Sequence, residues 1–216
     1  MYPFFERDGA FFVAGAGTGA FVVMSMVTFQ LLDPIGARLY SGLEGETSTA
    51  NELHKLHRAG WRAVHNIHFK DRADVDHVAV GPGGVVVIET KTANADWPYL
   101  QRHGATVRWA EQAKRNVVPI RGLIKQHAKI VVDPSPIVVA WVRGQPDGPS
   151  SLPNGVTLVK GAELCDYLMD LPTHLEASDI QSIAAGLEAA CKNFDSAAGV
   201  KHPGVLRRML GVEVVG

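Results

Sequence analysis

The shortages in this sequence are informative. Among 216 residues there are two cysteines, Cys165 and Cys191. They fall in helix-like segments without metal-ligand spacing, which excludes a cysteine zinc site and fits buried apolar roles in a reducing compartment. Net charge is lacking as well. The 21 Lys and Arg against 22 Asp and Glu give −1 and a pI near 6.8, so no overall basic signature argues for nucleic-acid binding. No internal repeat is visible. With 46% apolar and 20% charged residues the composition is that of a folded protein, long enough for one substantial core with appendages.

Charge is also missing from one continuous stretch. From Ala10 to Leu32 the chain reads AFFVAGAGTGAFVVMSMVTFQLL, 23 residues without a formal charge. That is enough to cross a hydrocarbon layer of about 30 Å. Gly15, Gly17 and Gly19 are tolerated in a membrane helix, and Gly15-x-x-x-Gly19 offers a close-packing face, so a homodimer is among the expected partners. Glu6 and Asp8 beside Arg7, with no small-x-small site, argue against a cleaved signal peptide. Residues 1–33 are therefore expected to be a leader and an uncleaved single-pass anchor. Arg38, Lys55, Arg58 and Arg62 after the span, against Arg7 before it, place the following domain in the cytoplasm. Gly15-x-Gly17-x-x-Ala20, with Asp33 beyond it, superficially matches a dinucleotide fingerprint. A Rossmann unit needs an amphipathic helix there, whereas residues 20–32 are apolar all round.

The chemistry concentrates in residues 74–91, DVDHVAVGPGGVVVIETK. Two β-rich runs flank Gly81-Pro82-Gly83-Gly84, a reversal signal. A symmetric register sets Val80 against Val85, Val78 against Val87 and Asp76 against Glu89, with Lys91 on the same face. A valine face thus turns abruptly into two carboxylates and a lysine. Like charges opposite one another across a ladder cost roughly 0.2–1 kcal/mol. A divalent cation such as Mg²⁺, which binds one or two carboxylates plus waters and phosphates, reverses that sign. The alternative is that the strand ends reach solvent, with Lys91 pairing Glu89.

The order Asp, turn, Glu-x-Lys resembles the core of the PD-(D/E)XK nuclease superfamily, and more specifically the nuclease-related domain, NERD. The similar motifs are Gly42-Leu43-Glu44-Gly45-Glu46, Val75 to Gly81, Gly84 to Lys91, and Gln112 in WAEQAKRNV, within a match over about residues 41–171. The resemblance implies Asp76, Glu89 and the backbone carbonyl of Thr90 as ligands of Mg²⁺ or Mn²⁺. It implies that Lys91 positions the attacking water, that Glu46 flanks the metal, and that Gln112 supports the site from a helix. Val75 stands where the superfamily name has proline. The implied fold is α/β, restriction-endonuclease-like, with a mixed central sheet flanked by helices and an N-terminal hydrophobic helix before it. Residues 172–216 are left as a C-terminal helix and tail.

Between Lys91 and Lys129 lie eight basic residues, among them Arg102, Arg108, Lys114 and Arg115, against only Asp96 and Glu111. Such a stretch either contacts phosphates, of DNA ahead of RNA, or is the solvated face of an amphipathic helix. The expected elements are a helix at 44–59 with Leu43, Ala50, Leu53 and Leu56 apolar, a strand at 61–69, the hairpin, a loop at 93–107, and a helix at 110–129. A strand at 136–142, loops over 147–155, a strand VTLV, a helix at 162–171 and a final helix from Ser178 to Phe194 follow. His65 and His68 on a strand point to opposite faces, so they form no simple chelate. Trp109 is read as core or as a base-stacking ring. Two function classes stay open: a membrane-tethered, metal-dependent phosphodiesterase, and a non-catalytic domain that binds nucleic acid or a partner.

Overall fold

The computed structural model describes residues 41–69 and 74–197, with side chains as far as residue 192. The run from Ala10 to Leu32 and the tail from Gly199 lie outside the described residues. Among the described residues no helix is long and apolar enough to cross a membrane.

Helix α1 occupies residues 41–55 and tightens into a 3₁₀ turn at Leu56–Ala59. Gly60 ends it at φ 84°, a left-handed position suited to glycine. Then follow β1 (Arg62–Ile67), β2 (Val75–Gly81), β3 (Gly84–Thr92), α2 (Trp97–Arg102) and α3 (Ala105–His127). The order continues with β4 (Ser135–Trp141), β5 (Ser150–Leu152), β6 (Val156–Lys160), α4 (Leu164–Met169) and α5 (Ala177–Ala197). The six strands form one mixed sheet in the order β1-β2-β3-β4-β6-β5. The β1-β2-β3 meander is antiparallel, β3, β4 and β6 run parallel, and β5 closes the edge antiparallel to β6.

Alternation along the hairpin decides what packs on each face. Val78, Val80, Val85 and Val87 join Val117, Ile120 and Ile124 of α3 and Ile180, Ile183 and Leu187 of α5. The segment beyond residue 171 thus contributes to the same core as the hairpin. On the other face Ala79, Val86 and Ile88 meet Leu53 of α1, Leu56 of the turn that follows it, and Leu164 and Leu168 of α4. Helices therefore cover both faces, as the near-continuous apolar runs of β3 and β4 require.

The register matches expectation: Val80 pairs with Val85, Val78 with Val87, and Gly81 with Gly84 across a two-residue turn. Other expectations give way. The stretch 93–107 is not a loop but holds α2 and the first residues of α3, and the expected loop at 147–155 contains the short strand β5. Leu43 is 44% exposed, and the inner stripe of α1 runs Gly45, Thr49, Leu53, with Leu56 in the turn beyond. Small residues win there because the helix lies close to the sheet. A Cβ on Gly45 would stand 2.3 Å from Thr92 Cγ2.

Candidate functional site

Strand β2 begins where β3 ends, so its first residues and the last residues of β3 share one edge of the sheet. The last ladder pair there is His77 with Ile88. Beyond it, Asp76 Oδ2 accepts the backbone N–H of Thr90 at 2.7 Å. One residue back in β3, Glu89 is 1% exposed and has a partner on each oxygen. Lys91 Nζ donates to Oε1 at 2.6 Å, and Asn116 Nδ2 of α3 donates to Oε2 at 2.8 Å.

The opposite face of β3 fixes α1. Thr90 Oγ1 donates to Thr49 Oγ1 at 3.2 Å, and Trp141 Nε1 of β4 reaches the same hydroxyl at 2.9 Å. These bonds and the close approach at Gly45 hold the neighbouring Glu46 half-buried, within electrostatic range of Asp76 and Lys91. Three carboxylates therefore lie within electrostatic range of one ammonium.

The electrostatics register that imbalance. Burial, and then the charge of Asp76, pushes Glu89 up from 4.5 to about 7, against the opposing pull of Lys91. Burial also raises Asp76, although the Thr90 N–H and Lys91 favour its charged form. Glu46 is raised by burial first and by Asp76 second. Each group thus bears the cost of desolvation and of its like-charged neighbours. The donor set is all oxygen, with backbone carbonyls of β3 alongside, and suits a hard divalent cation.

The structure brings together Glu46, Asp76, Glu89, Thr90 and Lys91. Gln112 is half-buried, and the side chain that bonds to Glu89 from α3 is Asn116, one turn further on. Sequence reasoning passed over Asn116. Its signal was a polar residue in the apolar arc that includes Ala113, Val117 and Ile120. Arg102, Arg108, Lys114 and Arg115 are all exposed. With about 100° per residue on a helix, Arg108, Gln112 and Arg115 form one stripe at i, i+4, i+7, bordering Asn116, whereas Lys114 projects from the far flank.

His77 points to the α1 face, as expected of a residue beside Asp76, and is buried with Nδ1 2.8 Å from Nδ1 of His65. Burial and then His65 lower it from 6.5 to about 3. His68 instead pairs with Asp74 at 2.8 Å. Trp109 packs beside Trp97, ring centroids 6.3 Å apart, against the core of β4 and β6.

No curated protein and no solved structure matches the chain. A family model does. The match covers residues 41–138, from α1 into β4, and so includes Glu46, Asp76, Glu89, Lys91, Gln112 and Asn116 while stopping short of β6, α4 and α5. That stretch of the chain matches the family model of the nuclease-related domain, NERD.

Proposed function

We propose that the domain hydrolyses phosphodiester bonds of nucleic acid with Mg²⁺ or Mn²⁺, as a restriction-endonuclease-like nuclease, DNA being the substrate ahead of RNA. The observation that carries this reading is the buried Glu89, which shares its site with Asp76 and is held at both oxygens by Lys91 and Asn116. A like-charged pair at that depth is a liability for folding alone. It is what a cation site requires.

Asp76 and Glu89, with the carbonyl of Thr90, are the residues that would hold the metal. Bound there, a divalent cation lowers the pKa of a water and offsets the charge gained by the phosphate. Asn116 fixes the Glu89 carboxylate against rotation. Lys91, 23% exposed at its side chain, has donors left after its bond to Glu89 and orients the attacking water. Glu46 flanks the site from α1, Gln112 supports it from α3, and Arg108 and Arg115 meet backbone phosphates. Arg102 on α2 and Lys114 on the far flank of α3, both exposed, contribute at longer range.

The run from Ala10 to Leu32 is read as a single-pass anchor that holds the domain at the cytoplasmic face of a membrane, on the strength of its charge-free length. Its Gly15-x-x-x-Gly19 face supports a homodimer. Carbonate extraction of the full chain, compared with a chain starting at Pro34, tests the anchor. Retention in the pellet only with the run present supports it.

One observation favours a second reading, a nucleic-acid-binding domain without catalysis. Among the described residues no three His, Cys, Asp or Glu side chains converge as a group able to hold a metal. Incubation of supercoiled plasmid and of RNA with the protein and Mg²⁺ or Mn²⁺ separates the two. Cleavage that disappears in Glu89→Ala supports the nuclease, and binding without cleavage supports the alternative.

A further inference from the structure

A second unusual feature lies along the same edge of the sheet. Strands β3, β4 and β6 run parallel, with Lys91 opposite Ala140 and Ala140 opposite Lys160. The segments leaving their carboxyl ends border an open cleft of about 650 Å³. Ligands of parallel sheets enter at such ends, and this volume lies within the range of small-molecule sites. The ladder puts the cleft one strand over from Lys91, at the same end of the sheet.

The cleft has an apolar floor formed by Ala140, Trp141 and Val142. The Trp141 indole is fixed in place. A Cβ on Gly161 would come within 2.1 Å of its ring, and its Nε1 donates to Thr49. The two cations of the rim are already matched. Arg143 pairs with Asp96 at 3.4 Å, and Lys160 pairs with Asp147 and with Glu163 at 3.7 Å. These pairs leave the cleft poorly suited to a free anion.

Gln145, also on the cleft wall, is different. It is 8% exposed, and both its amide nitrogen and its amide oxygen are buried without a hydrogen-bond partner. A desolvated amide with neither bond made is costly, and native proteins hold few of them. Because Gln145 lines the cleft, a ligand there with a donor beside an acceptor would satisfy both atoms at once. A flat apolar ring carrying such an edge is a nucleobase. Glutamine pairs in this bidentate way with adenine N6 and N7.

We propose that this cleft is a nucleobase pocket: Gln145 pairs with the donor–acceptor edge of an unstacked base, adenine first, while the Trp141 side of the cleft provides its apolar wall. The base belongs to a nucleotide next to the phosphate at Asp76 and Glu89. Enzymes that handle single bases read them in this manner, with edge hydrogen bonds and apolar or aromatic contact. The pocket rests on the nuclease reading for the presence of a nucleic-acid chain at that edge.

The test uses the full chain in EDTA, titrated with adenosine 5′-monophosphate and separately with ribose 5-phosphate as a base-free probe. The readouts are the NMR signals of the Trp141 indole N–H and the Gln145 side-chain amide. Adenosine monophosphate shifts both signals and ribose 5-phosphate shifts neither. Gln145→Met, which keeps the volume and removes the unpaired amide, melts at or above the wild-type temperature and binds the nucleotide at least about tenfold more weakly. Equal shifts with the two probes, no response to the nucleotide, or unchanged affinity in Gln145→Met overturns the pocket. Because no metal or cleavage enters the titration, nucleotide binding without plasmid cleavage counts against the nuclease alone, and cleavage without nucleotide binding counts against the pocket alone.

Discussion

Asn116 donates its side-chain amide to Glu89 Oε2 across 2.8 Å, and Lys91 occupies the other oxygen at 2.6 Å, so the carboxylate is fixed by a helix on one side and by its own strand on the other. Removal of one partner leaves a buried charged acceptor unsatisfied. Asn116→Ala is expected to destabilise the protein by about 1.5–3 kcal/mol, the range for a bond to a charged group. Gln112→Ala, without that bond, is expected to cost less. Urea unfolding of the two variants in EDTA measures the difference.

The pH dependence has a definite sign. Glu89 is raised from 4.5 to about 7, so between those values the folded protein holds a proton that the unfolded chain has released. The stability this group contributes is complete below pH 4.5 and is lost as pH rises through 7. His77, lowered from 6.5 to about 3, works oppositely, and its contribution is lost as pH falls below 6.5. Unfolding free energies of wild type and Glu89→Gln from about pH 5 to about pH 8 report the titration of Glu89 together with its effect on the neighbouring Asp76, since His77 is common to both. Wild type should lose stability relative to Glu89→Gln as pH rises.

Gly45 sets how closely α1 approaches β3. A Cβ there would lie 2.3 Å from Thr92 Cγ2, whereas one on Gly42 meets nothing within 4 Å. Gly45→Ala should cost about 1–3 kcal/mol as an overpacking change and carry Glu46 away from Asp76. Gly42→Ala should be neutral or stabilising by about 0.5–1 kcal/mol, the usual preference of a helix for alanine. Thermal melts of the pair check both, and cleavage should fall only in the first.

The stripe on α3 separates the basic residues. Arg108→Ala with Arg115→Ala should weaken binding alike for all sequences and flatten its salt dependence, while Lys114→Ala, on the far flank, should do so less. Binding isotherms at several salt concentrations give the slopes. Equal slopes for wild type and the double variant would return the arginines to a solvated face.

The hairpin was legible because three cues agree: a Gly-Pro-Gly-Gly turn, period-two valines, and charges placed just past them. Helix α2 was not, since six residues, WPYLQR, are too few to display a helical period. Strand β5 is three residues long and follows turn residues, so nothing local distinguishes it from a loop. Leu43 is exposed despite its hydrophobicity, because the helix face turned to the sheet is set by distance. Where Gly45 and Thr49 face the sheet, close approach excludes a larger side chain. Asn116 was hidden for another reason, because its partner is 27 residues away and only the packing of α3 on β3 joins them.

Whether the buried carboxylates form a cation site is tested most directly by melting wild type, Asp76→Asn and Lys91→Ala with and without Mg²⁺ or Mn²⁺, beside plasmid cleavage by each. Wild type should gain about 2.7 kcal/mol at a hundred times the dissociation constant. Asp76→Asn, relieved of like-charge repulsion, should be as stable as wild type without metal or more so, gain much less from metal, and not cleave. Lys91→Ala should keep the metal-dependent gain and lose turnover. A wild-type melt unmoved by either cation, together with intact plasmid, would contradict the account.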